Sequence, residues 1–124
     1  MIIKIPFRTP TINHLYWHRG NIKILKTEAK KLREEIIEIC DSIPKDKLFE
    51  EELKVTIRVY ENWYCKNGEI KKMDILNREK FLIDSIFKGL GLDDKLIFEC
   101  TMIKEQSAFE RAEVEIEVLD GNSA

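Results

Sequence analysis

The sequence is poor in the residues that staple a chain or ligate soft metals. Its 124 residues include three cysteines, two histidines, three prolines and five glycines. Cys40, Cys65 and Cys100 are odd in number and far apart, which excludes both a disulfide framework and a zinc motif, and reduced, buried thiols are expected. His14 and His18 are four residues apart, a metal-binding spacing on a helix. Pro10 and a strand-like context argue against a helix there, and no third ligand is near. Long apolar runs are also missing: stretches such as Phe81-Leu82-Ile83 stop at three or four residues, far below the roughly 18 that cross a bilayer as a helix. The start, MIIKIPF, lacks the apolar core and small-residue cleavage site of a signal peptide. A cytoplasmic protein with no membrane partner is therefore expected.

At 14.7 kDa the chain is the size of one domain that can bury a core without staples. No linker, repeat or low-complexity stretch divides it. One domain over residues 1–120 is expected, with 121–124 as a frayed tail. The net charge is −2, against the basic balance usual for nucleic-acid binders. That mean hides four segments. Residues 1–33 carry +7, residues 34–53 carry −6, residues 54–80 carry +3 and residues 81–124 carry −6. A phosphate backbone feels local charge, within roughly 8–10 Å.

Hydrophobic periodicity orders the elements. Residues 1–6 read as a short strand closed by Pro6. Leu15–His18 and Asn21–Leu25 read as a hairpin around Arg19-Gly20. Thr27 is placed to cap a helix over 28–42, whose apolar positions Ala29, Leu32, Ile36, Ile39, Cys40 and Ile43 follow the helical period until Pro44 stops it. Residues 44–52 read as a loop. Leu53–Tyr60 alternates apolar and polar residues, as a half-buried strand does. Residues 65–73 form a basic loop, and a second helix covers 75–90 up to Gly91. Leu96–Ile103 reads as a strand. In the last strand Val114, Ile116 and Val118 alternate with Glu113, Glu115 and Glu117. The expected fold is α/β (α+β), a mixed β-sheet with two main helices packed on it.

The second helix carries the informative residues. On a wheel at 100° per residue, Leu76, Ile83, Ile86, Phe87 and Leu90 share an apolar arc. Lys80, Asp84, Asn77 and Asp74 share one polar sector. Asp93 and Asp94 follow the far end after a turn. Each residue has an ordinary structural role open to it. Asp74 can be an N-cap, Lys80 and Asp84 an i,i+4 pair, and Asp93-Asp94 a turn. Several carboxylates converging with a lysine also suit a hard divalent cation and a phosphate.

The pattern Asp74, Asn77, Lys80, Asp84, Asp93-Asp94 resembles the RusA family of Holliday junction resolvases. The lysines Lys66, Lys71 and Lys72 match the family's basic loop. An N-terminal segment with Pro6, Pro10, Asn13, Tyr16 and a basic turn matches as well, so the resemblance covers almost the whole chain. It implies a RusA-like fold and Mg²⁺-dependent hydrolysis of phosphodiesters at four-way junction DNA, with Mn²⁺ as a possible substitute, by a homodimer. Asp74, Asp94 and Lys80 would be catalytic, and Asp74, Asp94, Asp93 and Asp84 the metal ligands. DNA contacts would come from Arg8, Asn13, Tyr16, Arg19, Lys23, Lys66, Lys71, Lys72 and Asn77. Basic side chains among aromatics such as Tyr16-Trp17 and Trp63-Tyr64 suit phosphate contact and base stacking. Core or dimer-contact roles are also open for Tyr16 and Trp17, and for Trp17 the two readings weigh the same.

One position departs from the family. Its second aspartate is Leu76 here, read as lying at the edge of the apolar arc and partly buried. Three readings are open: Asp84 or Glu99 completes a shifted site, the enzyme is slow, or the protein binds junctions without cutting them. An interaction module with no nucleic-acid partner is a weaker alternative, suggested only by the pI near 5.8.

Overall fold

A computed structural model describes residues 1–11, 15–44 and 51–119. Four strands form one sheet in the spatial order β1 (Ile2–Ile5), β6 (Arg111–Val118), β4 (Leu53–Glu61), β5 (Ile97–Gln106). β4 is antiparallel to β6 and parallel to β5, and β1 is antiparallel to β6, so the sheet is mixed. β2 (Tyr16–Arg19) and β3 (Ile22–Leu25) form a separate hairpin whose turn places Gly20 at positive φ. Two helices, α1 (Thr27–Asp41) and α2 (Glu79–Leu90), pack on each other, and α2 is the crossover between the parallel strands β4 and β5.

Register explains the core. Ile3 faces Val114, which faces Ile57, and Ile5, Ala112 and Val59 form the next row. All six are buried together with Phe81, Leu82, Ile86, Phe87 and Leu90 of α2 and Ile36 and Cys40 of α1. The alternate residues of the sheet are polar: Arg58 pairs with Glu115 at 3.7 Å and Arg111 lies 3.9 Å from the Tyr60 ring. Hydrogen bonding to Glu113, with burial, raises the Tyr60 pKa, so the phenol stays a donor. The expected α+β fold is the observed one.

Local details differ from the sequence reading. Lys26, not Thr27, is the N-cap of α1, and no side chain caps it. The Lys26 N–H donates to the Leu15 carbonyl while its own carbonyl accepts from Lys30, which starts the helix one residue early. The expected second helix is two elements: a 3₁₀ turn over Ile75–Arg78, then α2. Of the cysteines only Cys40 is buried; Cys65 and Cys100 are exposed free thiols, one in the basic loop and one on the edge strand β5. The expected tail, part of the 44–52 loop, and residues Asn13 and His14 lie outside the described residues.

Candidate active site and nucleic-acid interface

Asp74 begins the site as a turn-former. Its Oδ1 accepts from the Leu76 N–H at 2.9 Å and caps the 3₁₀ turn. Asp93 does the same for the turn at Asp94–Leu96, accepting from Lys95 N–H at 2.9 Å. Capping side chains are common at such ends, and each leaves the second carboxylate oxygen free of that bond. Leu76 corrects the wheel. It is 64% exposed rather than part of the apolar arc. Residues 75–78 are a separate 3₁₀ turn ahead of α2, so the face of residue 76 cannot be taken from an α-helical wheel.

On α2, Lys80 Nζ lies 3.1 Å from Asp84 Oδ2. That hydrogen bond and charge raise the Lys80 pKa, and Tyr16 adds a smaller contribution. Asp84, Asp93 and Asp94 line one open groove of about 520 Å³ with Arg33, Lys88, Ile83, Phe87 and Leu92. Asp74 does not line it. Glu79, which the sequence reading passed over, is half-buried. Burial first, then the charges of Asp84 and Asp94, push its pKa up while Lys80 lowers it. Glu79 therefore joins the carboxylates of this groove electrostatically. Arg33 was also missed: its Nε donates to Ser85 Oγ at 3.2 Å, bringing a cation from α1 to the acidic groove. Only the packing of α1 on α2 could reveal it, since the two positions are 52 residues apart.

The basic residues fall in two groups. Lys23 lies 6.0 Å from the Tyr16 ring, and Lys26 lies 4.5 Å from that of Trp17, which is 62% exposed and so not a core residue. Arg19 ends β2. Arg8 and Lys71 line a second pocket with Glu61 and Glu110. Arg8 is paired there, 3.3 Å from Glu110 and 3.8 Å from Glu61, so it is partly neutralised. Lys66 and Lys72 are exposed in the loop before Asp74, and the half-buried Asn77 donates its N–H to the Asp74 carbonyl at 3.2 Å. Glu99 is exposed on β5, opposite Lys54 of β4.

The family model of the endodeoxyribonuclease RusA matches residues 6–117 of the 124. The chain belongs to the RusA endodeoxyribonuclease family. No curated protein matches it. The resemblance implies a divalent metal, which makes that the group to test against these residues. The donors are carboxylate oxygens, the chemistry of a hard cation. Among the described residues no three His, Cys, Asp or Glu side chains are grouped so as to hold an ion unaided. Mg²⁺ ordinarily keeps several waters and takes one or two carboxylates with substrate phosphates. Asp84, Asp93 and Asp94 in one open groove fit that arrangement and not an all-protein cage. No helix among the described residues is long and apolar enough to cross a membrane.

Proposed function

We propose that this chain is a structure-selective endonuclease that resolves four-way DNA junctions by paired phosphodiester hydrolysis, as a cytoplasmic homodimer dependent on Mg²⁺ or Mn²⁺. The observation that carries the reading is the family match across residues 6–117. Asp74 and Asp94, with Asp93 or Asp84 beside Asp94, would hold the ion, which supplies a polarised phosphate and an activated water. Lys80, held protonated by Asp84, offers positive charge to the oxygens that gain negative charge as the bond breaks. The exposed lysines of the 62–73 loop and of the hairpin bind phosphates, and Trp17 offers a face for an unpaired base. Two identical sites about a two-fold axis would match the symmetry of a junction. The test is a synthetic four-way junction incubated with the protein, with and without Mg²⁺ or Mn²⁺. Paired nicks only with metal support the reading; no cleavage in any metal rejects it.

Leu76 favours a second reading. An exposed leucine replaces the family's second aspartate, and a leucine side chain binds no cation. On that reading the chain binds junctions and cuts them little or not at all. A gel shift without cleavage in the same assay would establish it.

A further inference from the structure

The turn that carries Asp74, Leu76 and Asn77 has little apolar anchorage. Asp74 and Leu76 are exposed, and Ile75 and Asn77 are only half-buried. Ile75 and the preceding Met73 pack partly against the core, and the remaining ties to the sheet are polar. Arg78, the last residue of the turn, is 1% exposed, and Glu61, the last residue of β4, is 3% exposed. Arg78 Nη1 donates to Glu61 Oε1 at 2.7 Å and Nη2 donates to Oε2 at 3.1 Å. The guanidinium lies 5.6 Å from the Trp63 ring, and Lys104 Nζ lies 4.8 Å from the same ring. Trp63 is fixed in turn. Its Nε1 donates to the carbonyls of Val59 and Glu105, and its backbone N–H donates to Gln106 Oε1. Lys104 Nζ also donates to the Met73 carbonyl at 2.8 Å. The segment 73–78 is thus held at one end by β5 and at the other by β4.

We infer that Glu61 and Arg78 are positioning residues that set the Asp74–Asn77 turn against the ends of β4 and β5, with Trp63 and Lys104 completing the clamp. The catalytic part of this inference rests on the nuclease reading above. A planar fork meeting a carboxylate fixes both distance and orientation, whereas an apolar contact of the same size can slide. Replacing a buried ion pair with apolar residues of similar volume is often neutral or stabilising, so a pair kept at this place serves geometry more than stability. Glu61 is also 3.8 Å from Arg8, a candidate phosphate contact, so one buried carboxylate touches both the turn and the DNA-facing surface.

The double variant Glu61→Leu with Arg78→Met separates geometry from stability. It should melt at or above the parent's temperature, yet the Leu76 and Asn77 amides should exchange with solvent about tenfold faster, with the β4 core amides unchanged. In junction cleavage kcat should fall about tenfold or more, with KM within about twofold of the parent. A folded double variant with parental exchange and parental kcat overturns the inference. Lys104→Met provides a second route if the double variant does not fold, because Lys104 is exposed. It should show the same two losses, and Lys104→Arg should restore both; no loss in Lys104→Met overturns the inference. The exchange measurement needs no DNA. If the parent cleaves no junction, the nuclease reading fails by itself and exchange alone decides whether the clamp positions the turn.

Discussion

Leu76, which the sequence resemblance puts where the family's second aspartate would stand, is an apolar side chain in water, and burial contributes almost nothing for an exposed leucine. Leu76→Asp should therefore fold with stability within about 0.5 kcal/mol of the parent. If the site takes a cation shared with phosphate, the variant should gain more melting temperature from Mg²⁺ than the parent does and cleave faster. Equal Mg²⁺ shifts in calorimetry would show that position 76 does not face the ion. Glu79 makes a separate case. Its carboxyl is pushed above its ordinary value of 4.5 by burial and by Asp84 and Asp94. A raised acid pKa means that the folded state holds the proton more tightly than the unfolded chain. The stability linked to that proton is complete below pH 4.5 and is lost as pH rises through the folded value. Glu79→Gln should therefore raise the melting temperature at pH 7, with the gain gone at pH 4. A gain that is equal at both pH values would assign the effect to packing.

At the scale of elements, the α1–α2 contact depends on Gly89. A Cβ built there would lie 2.8 Å from Cys40 Cβ and 3.1 Å from Ile37 Cα. Two helices can approach this closely only without a side chain. Gly91 is different: it ends α2 at φ +69° with open space around it. Gly91→Ala should cost about 1 kcal/mol, for the left-handed backbone alone. Gly89→Ala should cost more, about 1–3 kcal/mol, because helix must move against helix. Urea unfolding of both variants gives the order, and a smaller loss at Gly89 would mean that α1 shifts freely. The sequence showed that Gly91 ends the helix, since glycine follows the last apolar position. It did not show Gly89, because a glycine inside a helical pattern has no marker for what lies across from it.

At the scale of the molecule, charge separation outweighs net charge. The −2 total coexists with +7 on residues 1–33, and Lys23 and Lys26 of that segment lie beside Tyr16 and Trp17. Each phosphate neutralised releases counterions, so junction affinity should fall steeply between about 50 and 200 mM salt. Lys71→Ala with Lys72→Ala should weaken binding and flatten that slope. Affinity that does not change with salt in a gel shift would argue against a phosphate-reading surface. Light scattering should return twice 14.7 kDa at micromolar concentration; a monomer that makes two coordinated nicks would remove the dimer from the mechanism.

By itself the sequence determined the element order, the mixed sheet and the family, because these depend on properties of neighbouring residues. The alternation in Leu53–Tyr60 and in Val114–Val118 is visible without any partner, and so is the Asp74–Asp94 spacing. The tertiary structure alone decided what those residues face. The wheel could not show that residues 75–78 wind as a 3₁₀ turn and leave Leu76 in solvent, because a wheel assumes one helical winding throughout and says nothing of the Glu61–Arg78 contact between elements. Arg78 reads as an ordinary helical arginine until β4 brings Glu61 to it from 17 residues away. The same holds for Glu79 and Arg33, whose meeting with the acidic groove is set by packing of α1 on α2 and by the return of the chain at Asp93-Asp94. Local pattern records which face of an element is apolar. Only the folded chain sets which charges meet across elements, since those distances depend on packing between segments far apart in sequence.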